Sequence, residues 1–303
     1  MSGLDDLIER GGPRVREHAT FGALTTYRVG GTVRVLVTIT SRADLDELGP
    51  LIEGSDRPIV MLGNGSNLLV ADGELDVVGV RLSGEFESLS WRDEDDAVSV
   101  EAGAALDLPV VARRLAKEGI VGFEWAVGVP GTIGGAVVMN AGGHGSNMAA
   151  SVERVDTWRG GHRVWSLHDL HYGYRTSTLE SGQIVLAATL RLSRGDATES
   201  LAQIREIVHW RREHQPGGAN AGSVFRNPPG LHAGALIEEA GMKGARVGGA
   251  VVSEKHANFI LVEDDATASD VYQLLCLVRD RVEATSGIEL ITEHHLVGFG
   301  VDP

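Results

Sequence analysis

Two glycine-rich stretches, Gly63-Asn64-Gly65-Ser66-Asn67 and Gly128-Val129-Pro130-Gly131-Thr132-Ile133-Gly134-Gly135-Ala136, sit far apart in the chain among short apolar runs. The first follows a run at 59–62 that reads as a strand, so its amides can turn outward as an anion-binding nest, with Ser66 and Asn67 adding side-chain donors. A Rossmann fingerprint would need a third glycine at position 68 and a helix after it. Position 68 is Leu68, and the segment after it reads as strand. In the second stretch, proline can begin a helical turn whose amides face a pyrophosphate, while Gly128, Gly131, Gly134 and Gly135 keep side chains out of the way and Thr132 offers a hydroxyl. Asn140-Ala141-Gly142-Gly143 extends that low-bulk surface. Two such loops among strands, outside one βαβ unit, suit an extended dinucleotide lying across an α+β domain. A plain hairpin turn is the competing reading of Gly63 and Gly65.

Composition narrows the partners. Lys and Arg total 27 against 42 Asp and Glu in 303 residues, a formal charge of −15. That balance disfavours nucleic-acid and anionic-membrane surfaces, so an anionic ligand must be held by local donors. No apolar run is long enough to span a bilayer, and the first residues lack the basic-then-apolar pattern of a signal peptide. One cysteine, Cys276, excludes an intrachain disulfide and fits a reducing compartment, so a cytoplasmic protein is expected. Its position in an apolar helical stretch favours packing over chemistry.

Strands are expected at 33–39, 58–62, 68–70, 77–82, 98–102, 152–158, 162–165, 184–192, 247–252 and 259–262 from β-branched runs bounded by turn residues. Ser41-Arg42-Ala43-Asp44 and Asp196-Ala197-Thr198-Glu199 read as helix-opening caps, the second starting a new module. Helices are expected at 108–118, stopping at Gly119, at 233–240, and from Ser269 to Gly287. The last carries the stripe Val271, Leu274, Leu275, Val278 and Val282. The glycine-laden 215–222 segment lets backbone move or approach a ligand.

Six motifs then occur in order: Tyr27-Arg28-Val29-Gly30-Gly31, Gly63-Asn64-Gly65-Ser66-Asn67-Leu68-Leu69, Pro130-Gly131-Thr132-Ile133-Gly134-Gly135, Tyr172-Gly173-Tyr174-Arg175-Thr176-Ser177, Ala221-Gly222-Ser223-Val224-Phe225-Arg226-Asn227-Pro228 and Ser253-Glu254-Lys255-His256-Ala257-Asn258-Phe259. Across nearly the whole chain they resemble the UDP-N-acetylenolpyruvoylglucosamine reductase family, flavoproteins whose FAD domain is of the vanillyl-alcohol-oxidase (PCMH) type. The length and the 253–259 motif resemble the family's shorter class, which lacks a tyrosine-bearing loop. The resemblance implies an FAD domain over 27–194, a C-terminal α+β substrate domain over 196–287, an N-terminal segment 1–26 and a tail 288–303 returning to the site. It implies FAD held without a covalent bond on Gly63, Asn64, Gly65, Ser66, Asn67, Gly128, Gly131, Thr132, Gly134, Gly135 and Asn140. NADPH is the implied electron donor and UDP-N-acetylglucosamine enolpyruvate the implied substrate, reduced to UDP-N-acetylmuramate for peptidoglycan.

Carried over by motif, Ser223 is the proton donor, with Arg175 and Glu293 assisting at the enolpyruvyl carboxylate. Tyr174, Asn227, Lys255 and His256 are candidates for holding substrate. Singly, each has a plainer reading as a loop hydroxyl, a surface ion-pair partner or a solvated charge. The surroundings of Glu293 depart from the family's Pro-Glu-Val-Arg, reading Thr292-Glu293-His294-His295. Adjacent histidines on a strand point to opposite faces, so no metal is expected there. Two rivals remain open: another FAD-dependent oxidoreductase of the same domain type, several of which attach FAD through a loop histidine that 63–69 lacks, and a non-enzymatic nucleotide-binding protein, which would not need Arg175 and Ser223.

Overall fold

A computed structural model describes residues 3–180 and 182–300; Met1, Ser2, Ser181 and the last three residues of the expected tail lie outside it. The chain divides into two compact units. The first takes the residues up to Glu17, Arg34–Asn64 and Asp76–Arg211; the second takes His18–Val33, Gly65–Leu75 and the chain from Arg212 on.

The first unit is built on an antiparallel sheet ordered His162–Ser166, Val152–Trp158, Ile184–Arg194, Val98–Gly103 and Leu89–Asp93, with Ile120–Val121 paired to the end of the long strand. Its central strand is buried from Ile184 to Leu190, which is why that stretch reads as an unbroken apolar run rather than an alternating one. Helix Ile133–Met139 packs on it. Strand Ile59–Met61 runs parallel to Glu74–Leu82, pairing Ile59 with Val78 and Met61 with Val80. Helix Arg42–Glu53 opens where Ser41 accepts from the Asp44 amide at 3.0 Å, but the Asp44 carboxylate turns back to Thr40, so only half of the expected box forms. The helix lies so close to Trp158 that a Cβ on Gly49 would fall 2.3 Å from the indole.

Helix Ala197–His214 opens as expected, with Asp196 accepting from the Thr198 and Glu199 amides. It does not begin the second unit. Ile204 and Ile207 are buried in the first core, the buried Ser200 hydroxyl donates to Glu124, and the first compact unit runs to Arg211.

In the second unit, helix Ala268–Ser286 sets Val271, Leu274, Leu275, Val278 and Val282 into a core shared with Tyr27, Leu69, Val224 and Phe225. Thr267 and Asp270 close a full capping box, and Gly287, at φ +70°, ends the helix. The strand expected at 247–252 is instead two, Arg246–Val247 and Ala250–Val252, because the chain reverses at Gly248-Gly249, with Gly248 at φ +51°. Ile260–Val262 completes that three-stranded sheet. The tail carries a strand that its periodicity does not foretell, His295–Val297, which pairs in parallel with Leu68–Val70. Helix Gly3–Gly11 and strands Val15–Thr20 and Leu89–Asp93 were likewise not expected. Among the described residues, no helix is long and apolar enough to cross a membrane.

Candidate active site

Within the first unit the two glycine loops meet. A Cβ placed on Gly63 would lie 2.6 Å from the Thr132 hydroxyl, so only glycine allows the contact. Asn64 donates to Asp107 at 2.6 Å, and Asp107 bridges to Thr132. The second loop is locked by backbone bonds from Leu108 N–H to Gly131 O, Ile133 N–H to Leu106 O and Gly134 N–H to Ala104 O. Pro130 does not start the helix; Gly131, at φ +117°, turns the chain and Thr132 caps it, accepting from the Gly135 amide. Among the described residues, two buried donors of this unit, the Trp125 indole N–H just before the loop and the Tyr172 hydroxyl, have no hydrogen-bond partner. A buried donor left unpaired costs about 1–3 kcal/mol, so both suit a polar group bound against them. Glycines that allow close approach and two orphaned buried donors fit a flavin dinucleotide.

The Asn140 side chain is engaged within the protein. The residue is buried at φ +43°, and its amide is committed at both ends, Nδ2 to Gly173 O and Oδ1 to the Ala149 N–H. That tie fixes the Tyr172–Arg175 segment to the end of helix Ile133–Met139. Arg175 itself sits at φ +57°, where a non-glycine residue is strained, and its guanidinium donates to Gly142 O at 2.9 Å and lies 5.2 Å from the Tyr174 ring centroid. The Tyr174 ring is 55% exposed.

In the second unit the segments bearing Ser223 and Glu293 run side by side. The Glu293 N–H donates to Val224 O at 2.7 Å, the Arg226 N–H to Ile291 O at 2.9 Å, and Phe225 bridges to Thr292. Both Ser223 and Glu293 are half-buried. Asn258, 3% exposed, clamps the serine segment from the other side: its Oδ1 accepts from the Phe225 N–H, its Nδ2 donates to Phe225 O, and its own carbonyl accepts from the Val224 N–H. Sequence reasoning gave Asn258 no role of its own within the 253–259 motif; an asparagine amid Ala257 and Phe259 in an apolar run was the available signal.

His294 is buried and its neighbour His295 exposed. The His294 ring stands between the Tyr27 hydroxyl, 2.9 Å from Nε2, and Asn67 Oδ1, 3.2 Å from Nδ1. Burial pushes the His294 pKa down to about 4 and holds the Tyr27 phenol above its ordinary value. Asn67 was assigned to the cofactor; its Nδ2 also donates to Glu293 O at 2.9 Å. Gly65, at φ +59°, backs onto Thr25, where a Cβ would lie 2.5 Å from Cα.

Of the proposed substrate contacts, Asn227 is exposed and accepts from the Ala233 N–H, opening helix Ala233–Glu239. Lys255 is exposed and donates to Arg212 O, while His256 is half-buried, packs edge-on to Phe259 and has its pKa lowered mainly by burial. Tyr174 and Arg175 belong to the first unit, and Ser223, Asn227, Lys255, His256 and Glu293 to the second.

Known proteins resemble this chain over nearly its whole length. The family profile described as "FAD binding domain" matches residues 33–161, and "UDP-N-acetylenolpyruvoylglucosamine reductase, C-terminal domain" matches residues 214–297. The reductase of that name from Anoxybacillus flavithermus is 36% identical over 299 residues, covering 97% of this chain and 98% of its own. The one from Synechococcus sp. CC9605 is 40% identical over 308 aligned positions, covering 99% of each. The crystal structure of the Thermus caldophilus enzyme superposes with a TM-score of 0.80 at 36% identity, covering 94% of this chain and 99% of its own. With Gly63 of the first glycine loop against Thr132 of the second, and the serine and glutamate segments paired, the chain belongs to the UDP-N-acetylenolpyruvoylglucosamine reductase family and is an FAD-dependent oxidoreductase.

Proposed function

We propose that this protein reduces the enolpyruvyl double bond of UDP-N-acetylglucosamine enolpyruvate, with electrons from NADPH, to give UDP-N-acetylmuramate for peptidoglycan. Bound FAD would supply the hydride-transfer chemistry that links NADPH oxidation to reduction of the alkene. The reaction then needs a proton at the other carbon and positive charge or donors at the substrate carboxylate while negative charge develops.

Ser223 delivers the proton, and Arg175 and Glu293 act at the carboxylate end. The observation that carries this reading is the pairing of the Glu293 N–H with Val224 O, which holds the glutamate beside the serine's own segment. Arg175 is suited to its part because its strained backbone and the Gly142 carbonyl fix the guanidinium's direction before any ligand arrives. The Gly63–Thr132 contact and the Trp125 and Tyr172 donors support the cofactor's place. Tyr174, Asn227, Lys255 and His256 remain proposed substrate contacts; Asn227 and Lys255 bond to backbone here and would contribute their remaining polar capacity. The single cysteine supports a reducing compartment, and we infer that the reaction runs in the cytoplasm.

Anaerobic stopped-flow absorbance tests the function. NADPH should bleach the flavin, and the enolpyruvyl sugar nucleotide should restore it. Ser223→Ala should leave the bleaching near normal and slow the restoration by at least ~100-fold, the scale of a lost general acid. A wild-type enzyme whose reduced flavin ignores the substrate would exclude the activity. Equal slowing of both steps in the alanine variant would remove Ser223 from the proton's path.

A further inference from the structure

Both nitrogens of the buried His294 ring are committed, and their partners dictate which one carries the proton. Asn67 donates its Nδ2 to the Glu293 carbonyl, so its Oδ1 is the atom that meets His294 Nδ1. An amide oxygen only accepts; Nδ1 therefore bears the hydrogen, Nε2 is bare, and the Tyr27 hydroxyl donates to it. Tyr27 to His294 to Asn67 to the Glu293 carbonyl is thus a one-directional chain of donors.

Its end point is the peptide group of a proposed active-site residue. The Glu293 N–H is held by Val224 O, the Glu293 carbonyl by Asn67, the His294 N–H by the Thr292 hydroxyl at 3.2 Å, and the His295 N–H by Asn67 O at 2.9 Å. With both peptides flanking Glu293 pinned, its φ and ψ are fixed, and so is the direction of its Cα–Cβ bond. At position 292 the threonine hydroxyl accepts from the His294 N–H, tying together the two residues that flank Glu293. An apolar side chain would fill the space of residue 294 without burying two polar nitrogens, so packing alone gives no reason for a histidine.

We propose that His294 is a positioning residue for Glu293: its Nδ1–H orients the Asn67 amide, which holds the Glu293 peptide and aims the carboxylate. The assignment rests on the role given to Glu293 in the proposed function. It also joins the first glycine loop, through Asn67, to the residue acting on substrate.

Asparagine and glutamine variants separate the two ring nitrogens. The amide nitrogen of the shorter side chain lies near the place of Nδ1, and that of the longer one near the place of Nε2. In purified holoenzyme, His294→Gln should bleach with NADPH near the wild-type rate yet slow reoxidation by the enolpyruvyl substrate by ~10-fold or more, the range expected for a reacting group displaced by a fraction of an ångström to 1 Å. His294→Asn should recover most of that loss, although thermal melts of the two variants fall together. If His294→Gln does not retain flavin, Tyr27→Phe takes its place. Without the phenol, Nδ1–H still meets Asn67 Oδ1, but the ring loses the bond that holds its other end, and reoxidation should be slower than in wild type though less so than in His294→Gln. The proposal is overturned by equal reoxidation in the Asn and Gln variants, by equal slowing of both half-reactions, or by a wild-type rate in Tyr27→Phe. A wild-type enzyme not reoxidised by substrate overturns the function and this assignment with it, whereas normal wild-type turnover with a normal His294→Gln overturns this assignment alone.

Discussion

His294 is neutral when folded, and that has a consequence for acid stability. Burial lowers its pKa from the ordinary 6.5 to about 4. Above pH 6.5 neither the folded nor the unfolded chain carries the proton, and the full stability is present. As the pH falls below 6.5 the unfolded chain gains a proton that the folded one refuses, so stability declines until about pH 4, where both bind it. A shift of this size corresponds to a loss on the order of 3 kcal/mol across the window. Urea unfolding of the wild type and His294→Gln at pH 7 and pH 5 checks it: the wild type should lose more between the two, and parallel losses would contradict the assignment. At this scale the sequence identified residues by motif but not their partners. Ser223 and Glu293 lie on paired segments, and the amide of Asn140, read as a cofactor contact, bonds to Gly173 and Ala149. A side chain's type was legible; the backbone groups reaching it were not.

At the scale of elements, local chemistry gave reliable starts and stops. Thr267 and Asp270 form a complete reciprocal box at the head of helix Ala268–Ser286, and Gly287 ends it in the left-handed conformation. Thr267→Ala should reduce stability by about 1 kcal/mol, as loss of an N-cap oxygen usually does. Chemical denaturation measures this, and an unchanged midpoint would mean that the helix is held by its buried stripe alone. The stripe was readable because its period matches the helix, and the long strand Ile184–Arg194 because it is buried on both faces. Short elements were harder. The run 247–252 is apolar enough for one strand, yet Gly248-Gly249 folds it into a hairpin, and His295–Val297 is too short to show a period of its own.

For the whole molecule, the cofactor's mode of attachment is the property most open to a direct check. Neither phosphate loop contains a histidine or cysteine, and Cys276 lies half-buried on helix Ala268–Ser286. FAD should therefore leave with the supernatant on acid precipitation, and yellow colour in the washed pellet would disprove non-covalent binding. The net charge of −15 gives the cofactor's phosphates no help from the global field, so local donors are expected to hold them.

What the sequence determined by itself was chemical identity and local conformation: the order of the motifs, the absence of a Rossmann spacing, the caps, and the buried stripe of the last long helix. These depend on neighbours a few residues apart, where the geometry of a turn or strand sets what can touch. Tertiary structure alone decided the rest. It joined Gly63 to Thr132, gathered separate stretches of chain into each compact unit, and set Tyr27 and Asn67 on either side of His294. Those pairings close loops of many residues, and their gain comes from burying polar atoms that find partners only in the folded chain.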